Sequence, residues 1–205
     1  LKRPRAAVID AVEASGLRGR GGAAFPTGHK WRMAAQENAA TKYVVANADE
    51  GDADAYIDRF ILEDDPHCLI EAMAIAAYAS GDQAGWVYLR CEYPHANTIL
   101  QTAIDEARDD GFLGVNILGS GFSFDIAIEV GRGSYVCGEE TAMLNSIAGA
   151  RPVAMARPPF PTQHGFFGQP TLVNNVETLA NISWIMRHGG DAYHRLGFSN
   201  SRGTK

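Results

Sequence analysis

No apolar run in this chain of 205 residues is long enough to cross a bilayer, and its first residues lack the apolar stretch of a secretory signal. Direct membrane insertion drops out of the reading. Cysteine is scarce. Cys68, Cys91 and Cys137 are odd in number, form no CxxC pair and have no metal-site spacing, which argues against a disulfide framework and fits a reducing, cytoplasmic setting. The six histidines are scattered and make no HExxH, so no metal site is expected. Cys137 has no His or Asp constellation around it in sequence and reads as a small buried thiol rather than a nucleophile. Positive charge is in deficit: 18 Lys and Arg against 24 Asp and Glu give a net charge of -6. Basic residues gather only at 2–5, 18–32 and 151–157, so no basic face for nucleic acid is expected. A Walker loop is absent too, since no GKS or GKT occurs.

Glycine is plentiful, with 22 residues, and four of them fall in RGRGGAAFPTGHKW, residues 18–31. Gly19, Gly21, Gly22 and Gly28 leave backbone N–H groups open to close approach, and Arg18, Arg20 and Lys30 add positive charge beside them. Such a turn can cradle a phosphate; it can equally be a tight surface turn with solvated cations. A helix over Arg3–Ser15 precedes these glycines, whereas the dinucleotide fingerprint requires a strand there. The stretch itself reads as an ordered loop.

Further along, YVVA (43–46), WVYLRC (86–91) and FDIAIEV (124–130) read as strands. Helices are expected from His67 to about Ala79 behind an Asp65–Pro66 start, from Pro94 with an apolar face through Ala96 to Ala107, from about Gly138 to Ala148, and over Thr171–His188. Residues 151–169, rich in Pro and Gly, read as extended loop. Alternating strands and helices imply an α/β fold with a largely parallel sheet and helices on both faces.

Two more stretches carry chemistry. NADEGDAD (47–54) follows a buried strand, so Asn47, Asp49 and Glu50 can be aimed at a ligand's hydroxyls or amide edge; the run also reads as a solvated acidic turn or, less well, a cation loop. GRGSYVCGEE, from 131, ends where a helix begins, and acids there suit the helix dipole whether or not they touch a ligand. Three ligand-type loops without a nucleophile suggest a holder for a cofactor that itself does the chemistry.

GLRGRGGAAFPTGHKW, NADEGDADAYIDR, YVCGEETAML, RPPFP and PTLVNNVETLAN occur in order from about residue 16 to 188. Together they resemble the NADH-oxidising flavoprotein subunit of respiratory complex I, a family that includes diaphorase subunits of NAD-dependent formate dehydrogenases and NAD-reducing hydrogenases. The resemblance implies a Rossmann-like α/β domain that binds FMN, with NAD(H) docking over the flavin. It places Gly19, Arg20, Gly21, Gly22, Lys30, Asn47, Asp49, Tyr135, Gly138, Glu139, Asn174 and Asn175 on FMN. Phe25, Met33, Glu50, Asp52, Glu140, Arg157 and Phe160 would serve NAD(H). No protein acid or base is implied for hydride transfer, only the holding of two rings at reacting distance.

Four positions depart from the family pattern. Ala24 replaces a glycine, Met33 an aromatic, Asp52 a glutamate and Arg157 a lysine. If Ala24 and Met33 close the nucleotide side, the alternative is a flavin-binding scaffold or a flavoprotein with another electron donor. The family continues into a ubiquitin-like domain and a four-cysteine [4Fe–4S] domain, so residues 1–190 read as the FMN domain and 191–205 as the start of a linker to parts not in this sequence. Implied partners are a thioredoxin-like [2Fe–2S] subunit and a larger iron–sulfur or catalytic subunit. The implied location is the cytoplasm, or the cytoplasmic membrane face in a complex I.

Overall fold

Tyr43–Ala48 (β1) is the strand around which the other elements are arranged, and its Val44, Val45 and Ala46 are wholly buried. In the computed structural model, which describes residues 2–198 and 201–202, β1 lies between Ala84–Leu89 (β2) and Thr171–Asn175 (β4), with Asp125–Val130 (β3) outside β2. All three pairings are parallel. Side chains alternate between the two faces of such a sheet. Val44, Ala46, Val87 and Leu172 face one core, covered by Arg5–Ala14 (α1), Pro66–Ser80 (α4), Pro94–Asp109 (α5) and Val176–His188 (α7). Val45, Tyr88 and Val173 face a smaller one, closed by Glu140–Ile147 (α6) and by Phe166 from the 151–169 segment. Helices thus cover both faces, as the alternating pattern implied.

Local signals explain much of this. Asp65 caps α4 by accepting from the Cys68 N–H at 3.2 Å, Pro66 opens it, and Gly81 ends it at φ 86. On α5, Ala96, Leu100, Ala103, Ile104 and Ala107 form the buried stripe.

Three expectations change. Residues 171–188 are not one helix: Thr171–Asn175 form β4, paired with β1 from Tyr43↔Thr171 to Asn47↔Asn175, and α7 starts only at Val176. A strand buried on both faces has no period-2 alternation to betray it, so its apolar run merged with the helical pattern that follows. The glycine-rich stretch is loop only to Pro26, because Thr27–Gln36 form a helix (α2), and a further helix, Ile57–Asp64 (α3), follows the acidic run. Strand β2 begins two residues earlier than the sequence suggested, at Ala84.

Gly190–His194 (α8) docks on α1 and α7, with Tyr193 buried and its hydroxyl 2.9 Å from Asn181 Oδ1. The expected linker start at 191–205 falls in part on 199–200 and 203–205, outside the described residues. Among those described, no helix is long and apolar enough to cross a membrane.

Candidate functional site

At the C-terminal ends of β1 and β4 opens a cavity of ≈ 580 Å³, within the range of roughly 300–1,000 Å³ usual for small-molecule sites. The glycine-rich loop and α2 form one wall, the start of α6 another, and residues 157–162 the rim.

The loop is pinned at its neck. Gly19 N–H donates to Phe25 O and Thr27 N–H to Leu17 O, both at 2.9 Å. Its tip is tied to α7 by Arg20 N–H, which donates to Thr178 Oγ1 at 2.8 Å. Gly21 runs so close to Asn175 that a Cβ there would meet the asparagine's own Cβ at 3.2 Å. The N–H groups of Gly21, Gly22 and Ala23 donate to no acceptor among the described residues. Free N–H groups on a tight turn are an anion-binding arrangement. Ala24 takes a left-handed conformation, φ 51, which L residues with a Cβ disfavour.

Charge on the wall is paired. Lys30 Nζ lies 3.3 Å from Glu140 Oε2 and 3.1 Å from the Val173 carbonyl. Arg157 reaches Glu140 Oε1 at 2.5 Å and Glu139 Oε1 at 3.4 Å. The other Glu139 oxygen caps α6, accepting from Thr141 N–H at 2.9 Å and Ala142 N–H at 3.0 Å.

Three asparagines line the same space. Asn47 donates to Gly138 O at 2.8 Å. Asn174 Oδ1 accepts from the buried Trp31 indole N–H at 2.9 Å, leaving its amino group for the cavity. Asn175 caps α7 through its Oδ1 and donates its Nδ2 to Asp58 at 2.8 Å. Nearby, the Thr27 and Thr162 hydroxyls and Arg20 Nε are buried without a protein partner among the described residues. Unpaired hydroxyls, open amides and free N–H groups fit a ligand rich in phosphate and hydroxyl oxygens, as FMN is.

Not every residue singled out from sequence lines the cavity. Gly19, Gly21, Lys30, Asn47, Gly138, Glu139, Asn174 and Asn175 do, and so do Phe25, Met33, Glu140, Arg157 and Phe160, with Ala24 among them. Tyr135 and Asp52 are exposed and bonded to each other at 2.8 Å. Asp49 is buried and carries no hydrogen bond to its carboxylate among the described residues; burial pushes it up to about 6 against the pull of Arg90. The Glu50 carboxylate points to the start of α3, accepting from Asp58 N–H at 2.9 Å, Arg59 N–H at 3.2 Å and the Tyr93 hydroxyl at 3.2 Å. Its backbone carbonyl accepts from Arg90. No group of three His, Cys, Asp or Glu side chains converges as metal ligands among the described residues.

The description "Nuo51 FMN-binding domain" matches residues 12–184. The chain belongs to this family. This Nuo51-type chain is 54% identical over 200 residues to the HndC subunit of the NADP-reducing hydrogenase of Solidesulfovibrio fructosivorans, covering 98% of itself and 41% of that subunit. It is 49% identical over 198 residues to an NADH-quinone oxidoreductase subunit of Aquifex aeolicus, covering 97% of itself and 46% of the relative. Among solved structures it matches a chain of an air-oxidized NAD+-reducing [NiFe]-hydrogenase with a TM-score of 0.87 and 36% identity, over 98% of itself and 33% of that chain. The Nuo51-type chain thus spans less than half the length of these relatives.

Asp58, Thr178, Thr27 and Trp31 also support the site, and the sequence gives no sign of it. In sequence, Asp58 looks like an ordinary first-turn acid, which the helix dipole alone would explain. The partners that make it more than that lie more than a hundred residues away.

Proposed function

We propose that this chain is the FMN- and NAD(H)-binding module of a multisubunit dehydrogenase, in which hydride passes between nicotinamide and flavin and electrons continue to iron–sulfur clusters. The observation that carries the reading is the wall of one cavity. Open glycine-loop amides, a lysine, three asparagines and unpaired threonine hydroxyls meet there beside two half-exposed aromatic rings.

FMN, when bound, supplies the exchange of a hydride for single electrons. The protein's part is to bind, orient and exclude water. The loop amides and Lys30 would neutralise the FMN phosphate. Asn47, Asn174 and Asn175 offer donors and acceptors for its hydroxyls and ring edge, and Gly22, Gly138, Glu139, Arg20, Asp49 and Tyr135 are assigned to the same ligand. Phe25, Met33 and Phe160 would flank the nicotinamide nucleotide, Glu140 would accept from its hydroxyls and Arg157 would meet its phosphates. Glu50 and Asp52, assigned to the same nucleotide by the family resemblance, lie off the cavity wall, Glu50 on the start of α3 and Asp52 on Tyr135. No side chain needs to move a proton to carbon. The [4Fe–4S] cluster belongs to the longer polypeptide, and the partners are a thioredoxin-like [2Fe–2S] subunit and a larger iron–sulfur or catalytic subunit. The setting is cytoplasmic. The physiological enzyme is an NADH dehydrogenase, a formate dehydrogenase or a hydrogenase.

The test is to release the flavin from the full-length protein by denaturation and identify it by mass spectrometry. One FMN per chain supports the reading. FAD, or no flavin after incubation with excess FMN, contradicts it.

A further inference from the structure

Behind the cavity wall sits a carboxylate that the proposed chemistry does not use. Asp58, on α3, is 3% exposed. One oxygen accepts from Asn175 Nδ2 at 2.8 Å and the other from the Glu177 backbone N–H at 3.2 Å. Among the described residues it has no cationic partner, and Glu50 and Glu177 both oppose its ionisation. A buried acid without a counter-ion is costly to keep, and such groups mark sites where the acceptor is needed.

The need is visible in the amide it holds. Asn175 has one end that donates and one that accepts, and rotation about the last side-chain bond exchanges them. Both Asp58 oxygens accept, one of them from Nδ2, so Asp58 holds the donor end of the amide and leaves Oδ1 for the Thr178 N–H at 3.2 Å. Thr178 Oγ1 in turn receives the Arg20 N–H at 2.8 Å and lies 3.5 Å from Asn175 Oδ1. The path is continuous: Asp58, Asn175, the first turn of α7, then the tip of the glycine-rich loop, whose Gly21 and Ala23 line the cavity.

Resting on the functional reading above, we propose that Asp58 is a positioning residue of the flavin site, which sets the Asn175 amide and, through Thr178, the glycine-rich loop. It touches no ligand itself. A carboxylate that served only to join α3 to α7 would affect folding without regard to Asn175. A positioning residue must act through Asn175.

A double-mutant cycle separates the two. Asp58→Asn and Asn175→Ala are made singly and together in the full-length protein, stripped of flavin, and FMN affinity is read by fluorescence titration on samples shown by circular dichroism to be folded. Asp58→Asn should weaken FMN about tenfold, the equivalent of about 1.4 kcal/mol. In the Asn175→Ala background the same change should cost less than about twofold, since the amide it sets is gone. Unchanged affinity in Asp58→Asn, or a loss as large with Asn175 absent as present, overturns the proposal. Should Asp58→Asn not fold, Thr178→Val breaks the next link and must weaken FMN similarly; full affinity there overturns it. Wild-type protein that binds no FMN overturns the functional reading together with this one, whereas failure in the variants alone leaves that reading standing.

Discussion

Glu140 holds two cations at once, Lys30 Nζ at 3.3 Å and Arg157 Nη1 at 2.5 Å, and so ties α2 and the 157–162 rim to the first turn of α6 across the cavity. Both pairs are partly open to solvent, and partly exposed pairs contribute about 0–1 kcal/mol to stability. Their weight falls on the site instead. Glu140→Gln should raise the KM for NADH by about three- to tenfold while changing kcat less than about twofold, the pattern of a lost uniform binding contact. Its melting temperature should stay within about 2 °C of wild type. Steady-state kinetics and a thermal melt read both. A drop in kcat with KM unchanged contradicts the assigned role.

Ala24 sits at φ 51 on the cavity wall. A left-handed alanine costs about 1–2 kcal/mol, while adding a glycine to the unfolded chain offsets about 0.4–1 kcal/mol. Ala24→Gly should therefore stabilise the domain by about 0.5 kcal/mol in denaturant titration, against the loss of about 1 kcal/mol for an ordinary helical Ala→Gly change. It should also lower the KM for NADH by removing a methyl from the rim. Destabilisation would show that the alanine is not strained.

Trp31 is wholly buried, and its indole N–H is the partner of Asn174 Oδ1. Trp31→Phe removes the donor and leaves a polar oxygen unpaired, a penalty of about 1–3 kcal/mol. Both the denaturation midpoint and FMN retention should fall. If stability drops while FMN binds as before, Asn174 is not held for the ligand.

Burial raises Asp58 and Asp82 to about 7 and Asp49 to about 6. In the unfolded chain these acids lose their protons near pH 4. Between about pH 4 and 7 the folded state therefore binds more protons, so their contribution falls as pH rises and is level above about 7. Glu92, held down to about 2 by Arg90, works in the opposite sense, but only below its ordinary range. Asp82 suits the test because it lies outside the cavity wall, with one oxygen on Ser80 and the other unpartnered among the described residues. Asp82→Asn should reduce the loss of stability between pH 5 and pH 8, measured by urea titration at each pH. An identical loss in variant and wild type contradicts the assignment.

What the sequence reveals here depends on how local each cause is. Asp65, Pro66 and Gly81 bound α4 by rules that act within a few residues, and α5 shows its stripe. Val173 shows nothing comparable, since its place beside Val45 in the sheet comes from a pairing across more than a hundred residues. The site divides in the same way. Lys30, Asn47, Asn174 and Glu140 sit in motifs specific enough to assign, and the structure gathers them around one cavity. Glu50 belongs to such a motif as well, yet its carboxylate serves the start of α3. Asp58 lies in the motif NADEGDADAYIDR too, but its part is made by Asn175 and Glu177 on another element, which the motif does not show.

The most direct measurement is the visible absorbance of the full-length protein with its FMN, followed under anaerobic conditions as NADH is added. The flavin bands should bleach as NADH is added, with electrons in excess of the two that FMN takes passing on to the cluster of the same polypeptide. A bound flavin whose spectrum does not respond to NADH would contradict it.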